Sequence, residues 1–186
     1  MWLLVTGAGL FIASGGWALS RARRELEERG RLGWKTFLAA FLAYVGHAAA
    51  TLVAAWKSTW TVRIDPRVAL STGGLIAVVG ASLYIAARIE FRSFRRTWGL
   101  DNDRLVTTGV YRFSRNPQTL GAVVFLAGAS LAGRSMVAAL LVTLLWVGSL
   151  IWLPVEEKAL EHLFGDQYRR YRDRVPRTVG RARSRT

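Results

Sequence analysis

Charge-free apolar runs alternate with basic stretches along this chain. Trp2 to Ser20 has no charged residue in 19, Thr36 to Trp56 none in 21 apart from His47, Ala69 to Ala87 none in 19, and Ser135 to Val155 none in 21. About 20 apolar residues span the hydrocarbon core as a helix, so each run predicts a membrane span. A fifth run, Thr119 to Gly133, has 15 residues. It crosses if Asn116 to Gln118 sit in the interface, and Gly133-Arg134-Ser135 then turns tightly into the next helix. The pattern predicts an all-α polytopic membrane helix bundle of about five transmembrane helices.

The segments between the runs differ in kind. Arg21 to Arg31 mixes Arg with Glu25, Glu27 and Glu28 and reads as a solvated helical extension. Lys57–Pro66 is a compact loop in which Thr59-Trp-Thr-Val alternates as an extended piece would, and Trp56 and Trp60 fit an interfacial aromatic belt. Arg88–Gln118, about 30 residues, is the longest non-spanning segment. A loop that long is usually functional or disordered, and its apolar and aromatic residues, Phe91, Phe94, Trp98, Leu105, Val106 and Tyr111 among them, argue against disorder. After Pro154 an amphipathic helix is predicted, with Glu157, Leu160, Phe164, Tyr168, Tyr171 and Val175 on one face and Arg169, Arg170, Arg172 and Arg174 on the other. It would lie on the inner membrane surface or cover the cytoplasmic mouth. Gly7, Gly9, Gly15, Gly16, Gly73, Gly74 and Gly80 offer small faces for close helix packing in lipid. One integral-membrane domain, 1–186, follows: a three-helix part over 1–88, a catalytic part over 89–177 and a flexible tail over 178–186.

The net charge of +14 raises nucleic acid as a partner, but its distribution excludes that reading. Of 26 Lys and Arg, 22 fall on one side of a five-helix topology and four on the other. This is the positive-inside pattern, with the N-terminus outside and the C-terminus cytoplasmic. It fits a plasma membrane of bacterial or archaeal type, with the charge attracted to anionic headgroups. The first run lacks a positive n-region and reads as a retained anchor. There is no cysteine, which removes disulfides, thiolate metal sites and cysteine nucleophiles, and no metal site is predicted.

Two polar clusters carry candidate chemistry. Glu156-Glu157 ends the last apolar run. Carboxylates there either face a cavity or partner or begin the amphipathic helix, where they suit its N-terminal dipole. Arg115-Asn116-Pro117-Gln118 opens a helix, with Asn as cap and Pro in the first turn. The same helix start also offers free N–H groups to an anion, with Arg115 and Gln118 as added donors. Together the clusters suit a zwitterionic ligand. His47 is either an intramembrane site residue or half of one interhelical hydrogen bond. Glu90 is expected to pair locally with an arginine and has no catalytic role.

The run Gly109-Val-Tyr111-Arg112-Phe-Ser-Arg115-Asn116-Pro117-Gln118-Thr119-Leu-Gly121, followed by Glu156-Glu157-x-x-Leu160-x-x-x-Phe164-Gly165-x-x-Tyr168-x-x-Tyr171, resembles the integral-membrane methyltransferases. These include the isoprenylcysteine carboxyl methyltransferases and the phospholipid methyltransferases. The likeness covers Leu105 to Arg177. It implies S-adenosyl-L-methionine in a pocket closed by the C-terminal region, and a lipophilic acceptor entering from the bilayer. Carried over by position, Asp103, Arg104, Leu105, Val106, Tyr111, Arg115, Asn116, Pro117, Gln118, Thr119 and Glu156 bind the cofactor, and Trp152 and Glu157 face the substrate; no catalytic residue is assigned.

Two departures from the pattern bear on the chemistry. Asn116 replaces the usual His and cannot titrate as an imidazole. Trp152 stands where isoprenylcysteine enzymes carry an Arg for the substrate carboxylate, which turns the expectation toward an amine, hydroxyl or uncharged lipid group. Membrane sterol and steroid reductases resemble the Arg-Asn-Pro segment too, so NADPH-dependent reduction is the alternative. A non-enzymatic membrane protein retaining the fold is a third.

Overall fold

A computed structural model of the chain describes residues 2–92, 95, 100 and 103–178. Phe94, Trp98 and the predicted tail beyond Thr178 lie outside the described residues. Among the described residues five α-helices follow in order: α1 (Trp2–Arg29), α2 (Trp34–Trp56), α3 (Pro66–Phe91), α4 (Pro117–Ala132) and α5 (Met136–Arg174), with a short 3-10 turn at Gly109–Arg112. Helices α2, α3 and α5 are each long and apolar enough to cross a membrane, and α4 is a shorter apolar helix. Apolar side chains such as Leu42, Val45, Leu75, Val78, Val79, Ile85, Val147 and Ile151 point outward. Exposed apolar rows along successive helices have no place in water and suit lipid chains. The chain is an integral membrane protein.

Local chemistry sets the helix starts. Asp65 caps α3 by accepting from Arg67 N and Val68 N, with Pro66 at the first helical position, where a missing N–H costs nothing. Ser135 caps α5 by accepting from Ala138 N at 3.2 Å. Ser135 Oγ also donates to the Thr59 carbonyl at 2.8 Å, and Val62 N donates to the Arg134 carbonyl at 2.8 Å. The predicted extended piece is therefore the Thr61–Ser135 bridge, which closes the 57–66 loop against the 133–135 turn.

The most extensive helix contact is α3 on α4, and glycine makes it. A Cβ on Gly73 would lie 2.4 Å from Ala132 N, one on Gly80 2.2 Å from Phe125 N, one on Gly121 2.5 Å from Tyr84 N, and one on Gly128 2.3 Å from Ala77 N. The two backbones touch, as small residues allow in lipid. Of the glycines expected to pack, Gly73 and Gly80 do. Gly9, Gly15, Gly16 and Gly74 have open space around them, and Gly7 lies outside the residues whose surroundings are described. The partner glycines on α4, Gly121 and Gly128, complete the interface.

Helix α2 meets α5 through Ala54, Ala55, Val137, Ala138 and Leu141. His47 is fully buried, and its Nε2 donates to the Leu141 carbonyl at 2.8 Å, with Phe11 4.5 Å from its ring. The interhelical hydrogen bond accounts for this histidine. The charged end of α1 is less solvated than its composition suggests. Ala22 and Leu26 are buried against Leu32, Val155 and Ala159, and Lys158 Nζ reaches Glu27 at 2.6 Å.

Helix α5 continues through Pro154 into the amphipathic stretch expected after it, and its break comes at Gly165, with φ 50 and ψ −123. Only glycine adopts that backbone without a Cβ clash. The chain is redirected there, and Tyr168, Tyr171 and Val175 pack back onto Leu105, Leu160 and Phe164.

Replacing Gly80 with Ala forces the α3 and α4 backbones apart, and a cost of about 1–3 kcal/mol is expected. Gly74→Ala meets nothing within 4 Å. Thermal unfolding in detergent should show a lowered midpoint for the first variant and an unchanged one for the second; equal midpoints would contradict the packing argument.

Candidate functional site

At the end of the bundle where α3 and α5 leave their apolar runs, the 103–116 segment crosses over the start of α4. Its course is set by Glu90 at the end of α3. The Glu90 carboxylate accepts from Thr108 Oγ1 at 2.6 Å, and its carbonyl accepts from Arg104 Nη2 at 3.3 Å. The arginine expected beside Glu90 therefore meets its main chain, and the carboxylate holds the loop instead. Gly109 has φ +54, and the Glu90 carboxylate occupies the space a Cβ would need. That is the physical reason for glycine at the head of the Gly-x-Tyr-Arg run.

Tyr111 is buried with Ala87 and Val106, against Phe91 and Val110. Its ring meets Phe91 edge-on at 5.4 Å. Its carbonyl accepts from Tyr171 Oη at 2.8 Å, which ties the redirected end of α5 to the loop. Burial, reinforced by Tyr171, Glu156 and Glu90 nearby, pushes the Tyr111 phenol well above its ordinary pKa. It stays a neutral hydroxyl at physiological pH.

Asn116 occupies the cap position of α4 without capping it. Its Nδ2 donates instead to the Arg177 carbonyl at 3.1 Å. Ser114 Oγ donates to the same carbonyl at 3.3 Å and accepts from Asn116 N at 3.2 Å. Arg115 N donates to the Pro176 carbonyl at 2.9 Å. The helix start expected from Asn-Pro is present, but the asparagine side chain gives one of its two amide N–H groups to the segment that follows α5 instead of capping the helix.

The two glutamates diverge. Glu157 is buried. It accepts from Arg177 Nε at 3.0 Å and Nη2 at 2.6 Å, a two-point fork, and forms an ion pair with Arg115, whose Nη1 lies 3.0 Å away. Arg115 Nη1 also lies 3.3 Å from Tyr168 Oη, while its Nε is buried with no hydrogen-bond partner among the described residues. Glu156 is exposed, and its Oε1 accepts from Trp152 Nε1 at 2.7 Å, one helical turn back.

These groups wall one cavity of about 180 Å³. Of the residues singled out in the sequence, Arg104, Leu105, Val106, Tyr111, Arg115, Asn116, Gln118, Thr119, Trp152, Glu156 and Glu157 line it. Asp103 and Pro117 do not; Pro117 is buried at the start of α4. Sequence reasoning left Phe91, Tyr168, Tyr171, Leu26 and Leu32 out of the site, and all five line it. The Tyr-x-x-Tyr spacing on the predicted amphipathic face carried that signal for the tyrosines. Nothing in the sequence brings the end of α1 here. The wall thus combines fixed donors, one open carboxylate, aromatic rings and aliphatic side chains.

Glu157→Ala leaves Arg115 without its buried counter-ion, and a loss of about 3 kcal/mol is expected, read from detergent unfolding. A midpoint equal to that of the parent protein would show that the buried pair does not hold the loop to α5. Gly109→Ala combines positive φ with a collision at Glu90 and is expected to cost about 1–3 kcal/mol in the same assay.

Residues 68–167 match the family model described as phospholipid methyltransferase. A 73-residue segment is 36% identical to the protein-S-isoprenylcysteine O-methyltransferase of Schizosaccharomyces pombe, covering 39% of this chain and 31% of that protein. The match thus spans about a third of the relative's length. No solved structure matches. With more than half its length matched and its paired polar clusters meeting at one cavity, the chain belongs to the phospholipid methyltransferase family.

Proposed function

We propose that this protein transfers a methyl group from S-adenosyl-L-methionine to a lipophilic acceptor reached from the bilayer, with the cavity on the cytoplasmic side, the N-terminus outside and the C-terminus inside. The observation that carries the reading is the pairing of Arg115, which keeps a buried and unused Nε donor, with the open carboxylate of Glu156 on the wall of the same cavity. An amino-acid zwitterion needs donors for its carboxylate and an acceptor for its ammonium. Arg115, Asn116 and Gln118 supply the first and Glu156 the second.

The residues fit the rest of such a ligand. Tyr111, Phe91, Tyr168 and Tyr171 bring aromatic rings to the wall, and ring faces favour both a flat base and a cation. S-adenosylmethionine, when bound, supplies an electrophilic methyl on a sulfonium. The protein's part is alignment and exclusion of water, and positioning alone is worth several orders of magnitude for a two-reactant step. Tyr111, held as a neutral phenol, acts as a hydrogen-bond donor and not as a base. Trp152 holds one oxygen of Glu156 and leaves the other for ligand. Its indole, in place of a cation, favours an amine, hydroxyl or uncharged acceptor over a carboxylate. Charge distribution supports the orientation, because the basic segments collect on the face that carries the cavity.

Titration calorimetry of the detergent-solubilised protein tests the reading. Saturable binding of S-adenosylhomocysteine is expected, weakened at least tenfold in Glu156→Ala and more mildly in Tyr111→Phe. Trp152→Arg is expected to change acceptor preference and, because the indole donor to Glu156 is replaced by a competing cation, to lower cofactor affinity as well. Binding of NADPH in place of S-adenosylhomocysteine would replace the reading with a reductase; binding of neither by folded protein would point to a non-enzymatic role.

A further inference from the structure

We propose that Arg177, outside the cavity and beyond residues 68–167 that match the family model, is a positioning residue that fastens the cofactor-binding turn; the inference rests on the methyltransferase reading. Arg177 uses both of its ends. Its carbonyl accepts from Ser114 Oγ at 3.3 Å and Asn116 Nδ2 at 3.1 Å. Its guanidinium grips Glu157 with two hydrogen bonds, at 3.0 and 2.6 Å. Glu157 in turn holds Arg115 at 3.0 Å, and Arg115 N is bonded to the Pro176 carbonyl at 2.9 Å. A closed ring results, running from Arg177 through Glu157 and Arg115 to Asn116 and back to Arg177.

The ring sets the direction of two cavity donors. Asn116 gives up its own capping bond to α4 and takes its orientation from the Arg177 carbonyl. Arg115 has Nη1 anchored by Glu157 and Tyr168, while its buried Nε has no hydrogen-bond partner among the described residues. Glu157 alone would face one cation. With Arg177 it is clamped between two, so its carboxylate cannot swing toward a ligand ammonium or withdraw from Arg115. The fork geometry matters, because a planar guanidinium fixes a carboxylate where a lysine supplies only a point charge. Arg177 does not line the cavity, so its effect on ligand passes through Glu157 and the 114–116 turn.

Calorimetry with S-adenosylhomocysteine on the full-length protein tests this through a double-mutant cycle. Arg177→Ala is expected to lower affinity about tenfold, Arg177→Lys by a smaller factor, and Glu157→Gln comparably to Arg177→Ala. The double variant should bind no more weakly than the weaker single one, because both changes open the same ring. Arg174→Ala, at an exposed residue of the same segment that donates to the Arg170 carbonyl, should bind as the parent does. Parent-like affinity in Arg177→Ala, or multiplying losses in the double variant, overturns the proposal. If Arg177→Ala does not stay folded, Arg177→Lys decides: affinity equal to the parent overturns it, and a partial loss supports it. Failure of the unmutated protein to bind S-adenosylhomocysteine removes the methyltransferase reading and this inference with it, whereas parent binding retained in Arg177→Ala removes this inference alone.

Discussion

The backbone contact between α3 and α4 is the constraint on which the site depends. Lipid chains are as apolar as leucine, so helices in a bilayer gain little from burying leucines against each other. They gain from close approach. Gly73 and Gly80 on α3 face Gly128 and Gly121 on α4, and this alignment fixes where α4 begins relative to where α3 ends. The distance between those two ends is what the 103–116 segment must bridge. Glu90, at one end, and Asn116, at the other, are the fixed points from which that segment hangs.

Non-helical backbone at the edge of a membrane needs its polar groups satisfied by protein. Here that demand and the building of a site are met by the same bonds. Glu90 secures Thr108 and Arg104, the Pro176 and Arg177 carbonyls secure residues 114 to 116, and Tyr171 secures the Tyr111 carbonyl. The glycine at position 165 makes this possible. It breaks α5 where the chain must return, so that Tyr168 and Tyr171 face the cavity instead of continuing along the membrane surface.

Charge within the site divides by function. Glu157 is committed to Arg115 and Arg177, a pairing whose worth lies in geometry more than in net stability, since desolvation offsets much of its attraction. Glu156, its neighbour, points away from that pair and keeps an oxygen open. Adjacent residues on a helix point about 100° apart, so one carboxylate braces the wall while the other remains available to a ligand.

The helical architecture was legible in the sequence because in a bilayer it follows from composition. Charge-free runs of about 20 residues have no other stable form, and the starts at Pro66 and Met136 follow from the Asp65 and Ser135 caps just before them. Much of the candidate cavity's lining was legible through the paired motifs, since eleven of the thirteen positions singled out line it. What composition leaves open is decided by pairs distant in the chain. The sequence does not distinguish Gly80, which touches a backbone, from Gly74, which touches nothing, because helix rotation is set only by the partner. It also predicts a cap from Asn116 that the tertiary structure withdraws, since the Arg177 carbonyl, 61 residues away, takes the side chain instead. Local chemistry is written in neighbouring residues and is fixed by sequence; which of two equally good hydrogen-bond partners is taken depends on where the rest of the chain arrives, and only the fold decides that.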